Sequence, residues 1–317
     1  MPLPRTLIVG GGIGGLSLAF RLVQRGVAPA SITVLEAAPR WGGLLQSTRR
    51  DGLLLEHGPD SIIRSKPAGV ALWRDLGLEE EFVASEPGAR RALIAQGRRL
   101  IAVPDGLYLL APAKLWPFLA SPLLSWRGKL RAGGDLLLPR RAATAPEESL
   151  GQFVRRRFGR ELFERIAQPL MSGIYTADPE TLSVAAALPQ FIAWERQHRS
   201  LILAARARHR EQPASGPRYG LFVSLRDGLH RCIERLIERL AGVDLRLGTT
   251  VRGITRTDNT WRLALDSGPL DGQRLAIAGP AHLAASLLRE VDPTLADDLA
   301  AIPYAGSAIL NLGFAAD

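Results

Sequence analysis

A run of glycines placed directly after a short apolar stretch constrains this chain more than any other feature. Leu7-Ile8-Val9 reads as a buried parallel strand, and Gly10, Gly11, Gly12, Ile13, Gly14 and Gly15 follow without a gap. In the spacing Gly10-x-Gly12-x-x-Gly15 each glycine has a separate task. The first makes a tight turn, the second lets a pyrophosphate approach the backbone, and the third lets helix and strand pack closely. The pattern predicts a helix from Gly14 to Arg25, with Leu16, Ala19, Phe20 and Val23 on one face and Gly26 as its stop. The open N-terminus of that helix offers N–H groups and a partial positive charge to phosphate. A second strand, Ser31 to Leu35, ends at Glu36, which lies 21 residues after Gly15. A carboxylate is needed there for ribose hydroxyls. Glycine-rich turns alone are a weak signal. Here strand, glycines, helix, second strand and acid come in order at the right distances, which points to a dinucleotide site.

With 317 residues, 46% of them hydrophobic, the chain can bury a large core in two domains. The net charge is +9, and arginine carries nearly all the positive charge, because Lys66, Lys114 and Lys129 are the only lysines. Three partners suit such a balance: nucleic acid, an anionic membrane surface or an acidic substrate. No nucleic-acid motif is present and 6% of residues are aromatic, so no nucleic-acid partner is expected. Cys232 is the only cysteine, which excludes an internal disulfide and a zinc-finger or iron–sulfur framework. It reads as a buried, inert thiol, and no metal site is expected. Met1 to Arg5 leads at once into the first strand, so no signal segment is expected. The uncharged run Leu299 to Ala316 contains Pro303, Gly306, Asn311 and Gly313, so it reads as turn and strand (Ala308 to Phe314) and not as a membrane span. The expected location is cytoplasmic, either free or peripheral on the inner face of the membrane.

Further along, Leu53-Leu54-Leu55 predicts a strand before the turn Glu56-His57-Gly58-Pro59-Asp60, where His57 reads as structural. Lys66 to Leu76 predicts a helix, and Leu93 to Ile101 a hairpin. Leu107 to Trp126 is apolar, carries Pro112, Pro117 and Pro122, and has Trp116 and Trp126 beside Lys114, Arg127, Lys129 and Arg131. Two readings stand for it: an interfacial membrane contact, or a helical pair packed on its own core. Glu148 to Leu170 reads as helical; the Arg155 to Arg157 run could grip acids, with a solvated helix face as the default reading. Helix Leu229 to Leu240 and strands at Leu245 to Leu247, Trp261 to Leu265 and Leu275 to Ala278 return the chain to the nucleotide-binding domain.

Arg40-Trp41-Gly42-Gly43 follows the ribose acid directly. It resembles the Arg-x-Gly-Gly signature of the FAD-dependent amine oxidase and protoporphyrinogen oxidase superfamily, and Glu56 to Asp60 resembles a turn that superfamily places beside the flavin. Ser172-Gly173-Ile174-Tyr175-Thr176-Ala177-Asp178-Pro179 with Glu180 to Ser183 resembles the protoporphyrinogen oxidase family more specifically. So do Pro189-Gln190-Phe191, Glu195, the His198 to Leu201 run and Gly228-Leu229.

The resemblance implies an α/β fold: an FAD-binding Rossmann-like domain of the glutathione reductase type, an inserted α+β substrate domain, and a helical portion open to membrane association. It places the FAD-binding domain at 1–85 and 216–285, and the substrate and helical domain at 86–215 and 286–317, with a further segment of the FAD domain expected after Asp317. It implies FAD contacts at Gly10, Gly11, Gly12, Ile13, Gly14, Gly15, Glu36, Arg40, Gly42, Gly43, Leu44, Gly58, Pro59, Asp60, Ser61 and Val251, the last holding adenine through its backbone. Small residues at Gly173 and Ala177 would let a flat macrocycle come close. The implied activity is FAD-dependent oxidation of protoporphyrinogen IX to protoporphyrin IX in haem biosynthesis, with coproporphyrinogen III as the alternative substrate. Molecular oxygen or another acceptor would reoxidise the flavin, and a homodimer is compatible. The cofactor carries the chemistry, so no catalytic residue is named. One departure stands out. Eukaryotic members place an arginine two residues after the glycine of a Pro-x-Gly turn to hold a propionate, and here Pro104-Asp105-Gly106-Leu107 leads to Tyr108. Two rivals remain: another flavin oxidoreductase of the superfamily, and a folded remnant that has lost the flavin.

Overall fold

The computed structural model describes residues 4–64, 66–85, 92–108, 110–142, 144–211 and 222–314. They group into two units, one from the chain up to 84 together with 222 onward, the other from 85–221. Residues 286–314, expected with the substrate domain, group with the first unit instead. The reason is local packing: helix Pro293–Ala300 lies on helix Ala281–Leu288, which lies on strand Val251–Thr257.

The first unit is built around strand β1, Thr6–Val9. It sits inside a four-stranded parallel sheet, between β2 (Ile32–Leu35) and strand Arg274–Ile277, with Asp244–Arg246 beyond β2. Both faces of this sheet are covered. Ile8 and Val34 face Leu16, Ala19 and Phe20 of helix α1 (Ile13–Gln24), and Cys232, Ile233 and Leu236 of helix His230–Arg239. Leu7, Val9 and Leu35 face Ile254, Leu263 and Leu270 of a three-stranded antiparallel layer. Burial on both faces is why β1 reads as an unbroken apolar run with no alternation. Each Leu or Ile so buried stabilises the unit by about 1.5–3 kcal/mol. Cys232 is buried, and that burial pushes its thiol up to about 12, so it is inert at neutral pH.

Residues Ala308 to Phe314 form no strand among the described residues. They run as exposed coil, and Asn311 Nδ2 donates to the Glu56 carbonyl at 3.1 Å.

Helices dominate the second unit. The helical stretch expected over Glu148 to Leu170 is helical in several pieces. Ser149 opens helix Leu150–Phe158 with a reciprocal capping box to Gln152, and Gly159 ends it at φ +91°. A short helix, Arg160–Leu162, a π-turn, Phe163–Ala167, and helix Gln168–Tyr175 follow.

For the Arg155 to Arg157 run the structure overturns the default of a solvated face and has the other reading, a grip on acids. Successive helical residues point about 100° apart, and each of these arginines meets a different acid. Arg155 pairs with Glu180, and Arg156 with Glu148 and Glu195. Arg157 is fully buried and donates to Asp135, itself buried, and to the carbonyls of Pro139 and Arg199. Asp135 also accepts from Ser200 Oγ at 2.6 Å and from the Ile202 amide at 3.0 Å. Glu195, Arg199 and Ser200 are thus parts of one buried network that ties helices together.

Over Leu107 to Trp126 the two readings divide residue by residue. Leu107, Leu110, Ala111, Phe118, Leu123 and Leu124 belong to the core. Leu115, Trp116, Leu119 and Trp126 are exposed, Trp116 by 79% and Trp126 by 68%. Two of the basic neighbours are engaged internally. Lys129 is buried and donates to the Leu119 carbonyl at 2.7 Å. Arg131 donates to the carbonyls of Arg155, Arg156 and Arg157 at the end of their helix. Among the described residues no helix is long and apolar enough to cross a membrane.

Candidate functional site

The end of β1 becomes a cradle because its side chains vanish there. Gly10 adopts φ +113°, and an added Cβ would sit 2.8 Å from the Ala278 carbonyl oxygen. At Gly15 an added Cβ would overlap the Gly10 carbonyl, so helix α1 can lie this close to β1 only with glycine. Gly12 begins α1 with no side-chain cap, and its first turn holds no acid. The first N–H groups of the helix therefore lack acceptors and carry the positive end of its dipole. Beside them, Gly12, Gly14 and Gly43 have only glycine or alanine atoms within 4 Å of where a Cβ would stand. The result is an opening lined by backbone.

The second glycine pair is bonded to the first. Gly42 N donates to Gly11 O at 2.9 Å, and Gly12 pairs with Gly42 as an isolated parallel bridge. Arg40 is exposed and donates to the Gly43 carbonyl at 2.8 Å, so it fastens this turn. The Trp41 ring fills the space a Gly11 side chain would need, a role that the sequence reading, centred on Arg40, missed. Its signal was available: a large ring between the motif's arginine and its glycines. Glu36 stands at the end of β2. One carboxylate oxygen accepts from the Gly11 amide at 2.7 Å, the other from the Ala38 amide at 2.8 Å. The acid is thereby held at the cradle's rim. The Glu36 carbonyl accepts from Thr249 N at 2.8 Å, which brings the start of strand Val251–Thr257, and Val251, to the same end of the sheet.

Gly58 packs on the Leu44 carbonyl, where a Cβ would overlap it, and Leu44 itself is 81% exposed. Pro59 and Asp60 are exposed; the Asp60 carbonyl accepts from Ser224 Oγ at 2.6 Å, and Ser61 Oγ donates to the Asp60 carboxylate at 2.8 Å. Glu56 is structural: it accepts from the Leu229 amide and from Ser47 Oγ at the start of helix His230–Arg239. His57 shares a hydrogen bond with Thr48 Oγ1 at 2.8 Å and lies exposed.

The substrate candidates lie in the second unit. Tyr108 is half-buried, its ring 5.0 Å from that of Trp194. Gly173 is exposed on helix Gln168–Tyr175, with nothing within 4 Å of an added Cβ. Ala177 is half-buried just after that helix. No hydrogen bond or ring contact joins Tyr108 to either among the described residues. Much of the surrounding small-residue stretch supports helix Leu150–Phe158. Pro179 and Leu182 carbonyls accept from Gly151 and Leu150 amides, and Glu180 holds Arg155.

A covered parallel sheet, a glycine cradle at a helix N-terminus and an acid closing the second strand define a dinucleotide-binding domain of the Rossmann type. The model for flavin containing amine oxidoreductases matches residues 13–316, and the chain belongs to that family. It is similar to the coproporphyrinogen III oxidase of Bacillus subtilis (strain 168), 36% identical over 292 residues that cover 90% of this chain and 62% of that protein. It is also similar to the protoporphyrinogen oxidase of Bos taurus, 30% identical over 334 residues that cover 98% of this chain and 67% of that protein. A solved structure from Exiguobacterium sp. 255-15 matches with TM-score 0.78 at 33% identity, covering 93% of this chain and 64% of that one. The chain thus spans somewhat less than two thirds of the length of relatives such as the Bacillus protein. The residues of the cradle fit a flavin dinucleotide: uncapped amides for its phosphates, an acid at the rim for its ribose, and backbone without side chains between them.

Proposed function

We propose that this chain carries the nucleotide-binding and substrate-binding parts of an FAD-dependent porphyrinogen oxidase of haem biosynthesis. The observation that carries this reading is the bonded pair of glycine motifs, Gly10 to Gly15 with Gly42-Gly43, in a chain whose relatives are coproporphyrinogen III and protoporphyrinogen oxidases. Sequence reading put protoporphyrinogen IX first. The coproporphyrinogen III oxidases are 34–36% identical, against 30–33% for the protoporphyrinogen oxidases, which favours coproporphyrinogen III. Protoporphyrinogen IX is the second reading.

Bound FAD supplies the two-electron oxidation, with oxygen or another acceptor taking the electrons. In this reading the amides of Ile13, Gly14 and Gly15 receive the pyrophosphate, and Glu36 receives the ribose hydroxyls. Val251 meets the adenine through its backbone. Leu44, Gly58, Pro59, Asp60 and Ser61 form the wall towards the flavin ring, and Arg40 keeps the Gly42-Gly43 turn in place. Gly173 and Ala177 leave the flat macrocycle room. The inserted unit over 85–221 is the substrate domain. Its exposed Leu115, Trp116, Leu119 and Trp126, with Lys114 and Arg127, form a peripheral contact to an anionic membrane surface where the poorly soluble substrate partitions.

The test is oxidation of coproporphyrinogen III and protoporphyrinogen IX by the FAD-loaded chain, read as porphyrin fluorescence above the spontaneous rate. FAD-dependent turnover of either porphyrinogen, faster for coproporphyrinogen III, is expected. A yellow, FAD-saturated protein that oxidises neither, but does oxidise an amine, would overturn the reading in favour of another branch of the superfamily.

A further inference from the structure

Most described arginines of the second unit are engaged by acids or carbonyls, but Arg206, Arg208 and Arg210 of helix Leu201–Glu211 are not, and of these three Arg208 stands over an aromatic ring. The helix buries Leu201, Ile202, Ala204 and Ala205 in the core. Arg208 follows one turn after Ala204 and Ala205, so it stands at the border of that buried face. Its guanidinium carbon lies 5.6 Å from the centre of the Tyr108 ring, whose other ring neighbour is Trp194. Among the described residues Arg208 forms no ion pair and no hydrogen bond, and the Tyr108 hydroxyl has no hydrogen-bond partner. Arg208 is exposed and Tyr108 half-buried, so both are open to a ligand.

The Tyr108 ring thus brings together one positive charge without an ion pair, carrying five N–H donors, and its own free hydroxyl donor. An anionic planar group with two acceptor oxygens matches that set. The guanidinium takes the carboxylate in fork geometry and the phenol donates to a remaining lone pair. The Tyr108 and Trp194 rings offer an apolar wall to whatever bears the carboxylate. We propose that Arg208, with Tyr108, receives a carboxylate side arm of the substrate and makes the site select free acids over neutral esters. The proposal rests on the porphyrinogen reading above. Arg208 is here a specificity residue, distant in sequence from Tyr108 and brought to it by the packing of helix Leu201–Glu211 on the Ala111–Pro112 strand.

The test uses the full chain and porphyrin fluorescence, so it needs no turnover. The probes are coproporphyrin III and its tetramethyl ester. For the acid, Arg208→Ala should weaken binding by about tenfold or more, Arg208→Lys should recover part of that loss, and Tyr108→Phe should cost a few-fold at most. Ester affinity should not change in any variant. Unchanged acid affinity in Arg208→Ala would overturn the proposal alone. Equal losses for acid and ester would overturn it too, as a structural role. A wild-type chain that binds neither porphyrin would overturn the porphyrinogen reading as well.

Discussion

The two units solve the problem of holding polar groups in opposite ways. At the cradle of the first unit the active groups are main-chain amides, and side chains are removed to expose them: Gly10, Gly12, Gly14, Gly15, Gly42 and Gly43 are all glycine. The second unit is fastened by side-chain charge. Arg157 and Asp135 are both fully buried, and Glu148, Arg156 and Glu195 extend the network to the surface. The difference teaches where each unit is fragile. A backbone site fails by addition, when a single Cβ fills it. A charge network fails by deletion, when one partner is left buried and unpaired.

The largest effect is expected in the second unit. Arg157→Met leaves Asp135 buried without its cation and should cost about 3–5 kcal/mol in denaturant unfolding. Replacing both partners with apolar residues should recover most of that, because the desolvation cost goes with the charges. A loss below about 1 kcal/mol for Arg157→Met would show that the pair does not hold the unit together. In the first unit the mirror-image experiment is Gly15→Ala. Its Cβ would overlap the Gly10 carbonyl, so destabilisation of about 1–3 kcal/mol is expected, with FAD binding lost. Full FAD affinity in a stable Gly15→Ala chain would break the comparison.

Acid probes the charge network of the second unit. Burial alone would raise the Glu195 pKa, but the Arg156 hydrogen bond and the Arg156 and Arg157 charges outweigh it and hold it below the usual carboxylate range. A depressed folded pKa means the stabilisation is complete above the unfolded value, about 4.3, and lost as pH falls through the lower folded value. Stability of the second unit should therefore decline below about pH 4, and Glu195→Gln should flatten that decline. Circular dichroism melts across pH 3–7 on both proteins check this. The smallest effects are at the surface. Trp116→Ala should reduce binding to anionic vesicles independently of salt, and Arg127→Glu should reduce it by about 1 kcal/mol in a salt-dependent way. Lys129→Glu should instead lower the melting temperature, since its ammonium holds the Leu119 carbonyl inside the fold. If Trp116→Ala lowers the melting temperature and leaves vesicle binding unchanged, the peripheral contact is wrong.

How far the sequence could be read follows from this contrast. The cradle was legible because its chemistry is local: glycine spacing, strand polarity and an acid at a set distance all lie within Leu7 to Gly43. The pairing of Gly12 with Gly42 showed only in the fold, because it joins two motifs about thirty residues apart. In the second unit the partners are far apart in the chain. Asp135 meets Arg157, Ser200 and Ile202 only after several helices pack, so the sequence offered a grip on acids for Arg155 to Arg157 but named no partner and left a solvated face as the default. The break at Gly159 was likewise hidden, because glycine is tolerated inside a helix until packing forces a positive φ. Lys129 and Arg131 showed their charge in the sequence but not the carbonyls that hold them. Arg208 carried no signal at all until helix Leu201–Glu211 placed it on Tyr108.

The central claim, that the backbone cradle beside Glu36 is the flavin-nucleotide site, is tested most directly by titrating FAD into the purified chain and its Glu36→Gln variant with ADP as competitor. The account predicts one FAD per chain, competition by ADP, and a loss of FAD affinity of about 1–3 kcal/mol in Glu36→Gln, with a lower melting temperature as well because Gln can accept from only one of the Gly11 and Ala38 amides. FAD affinity indifferent to both ADP and Glu36→Gln would contradict it.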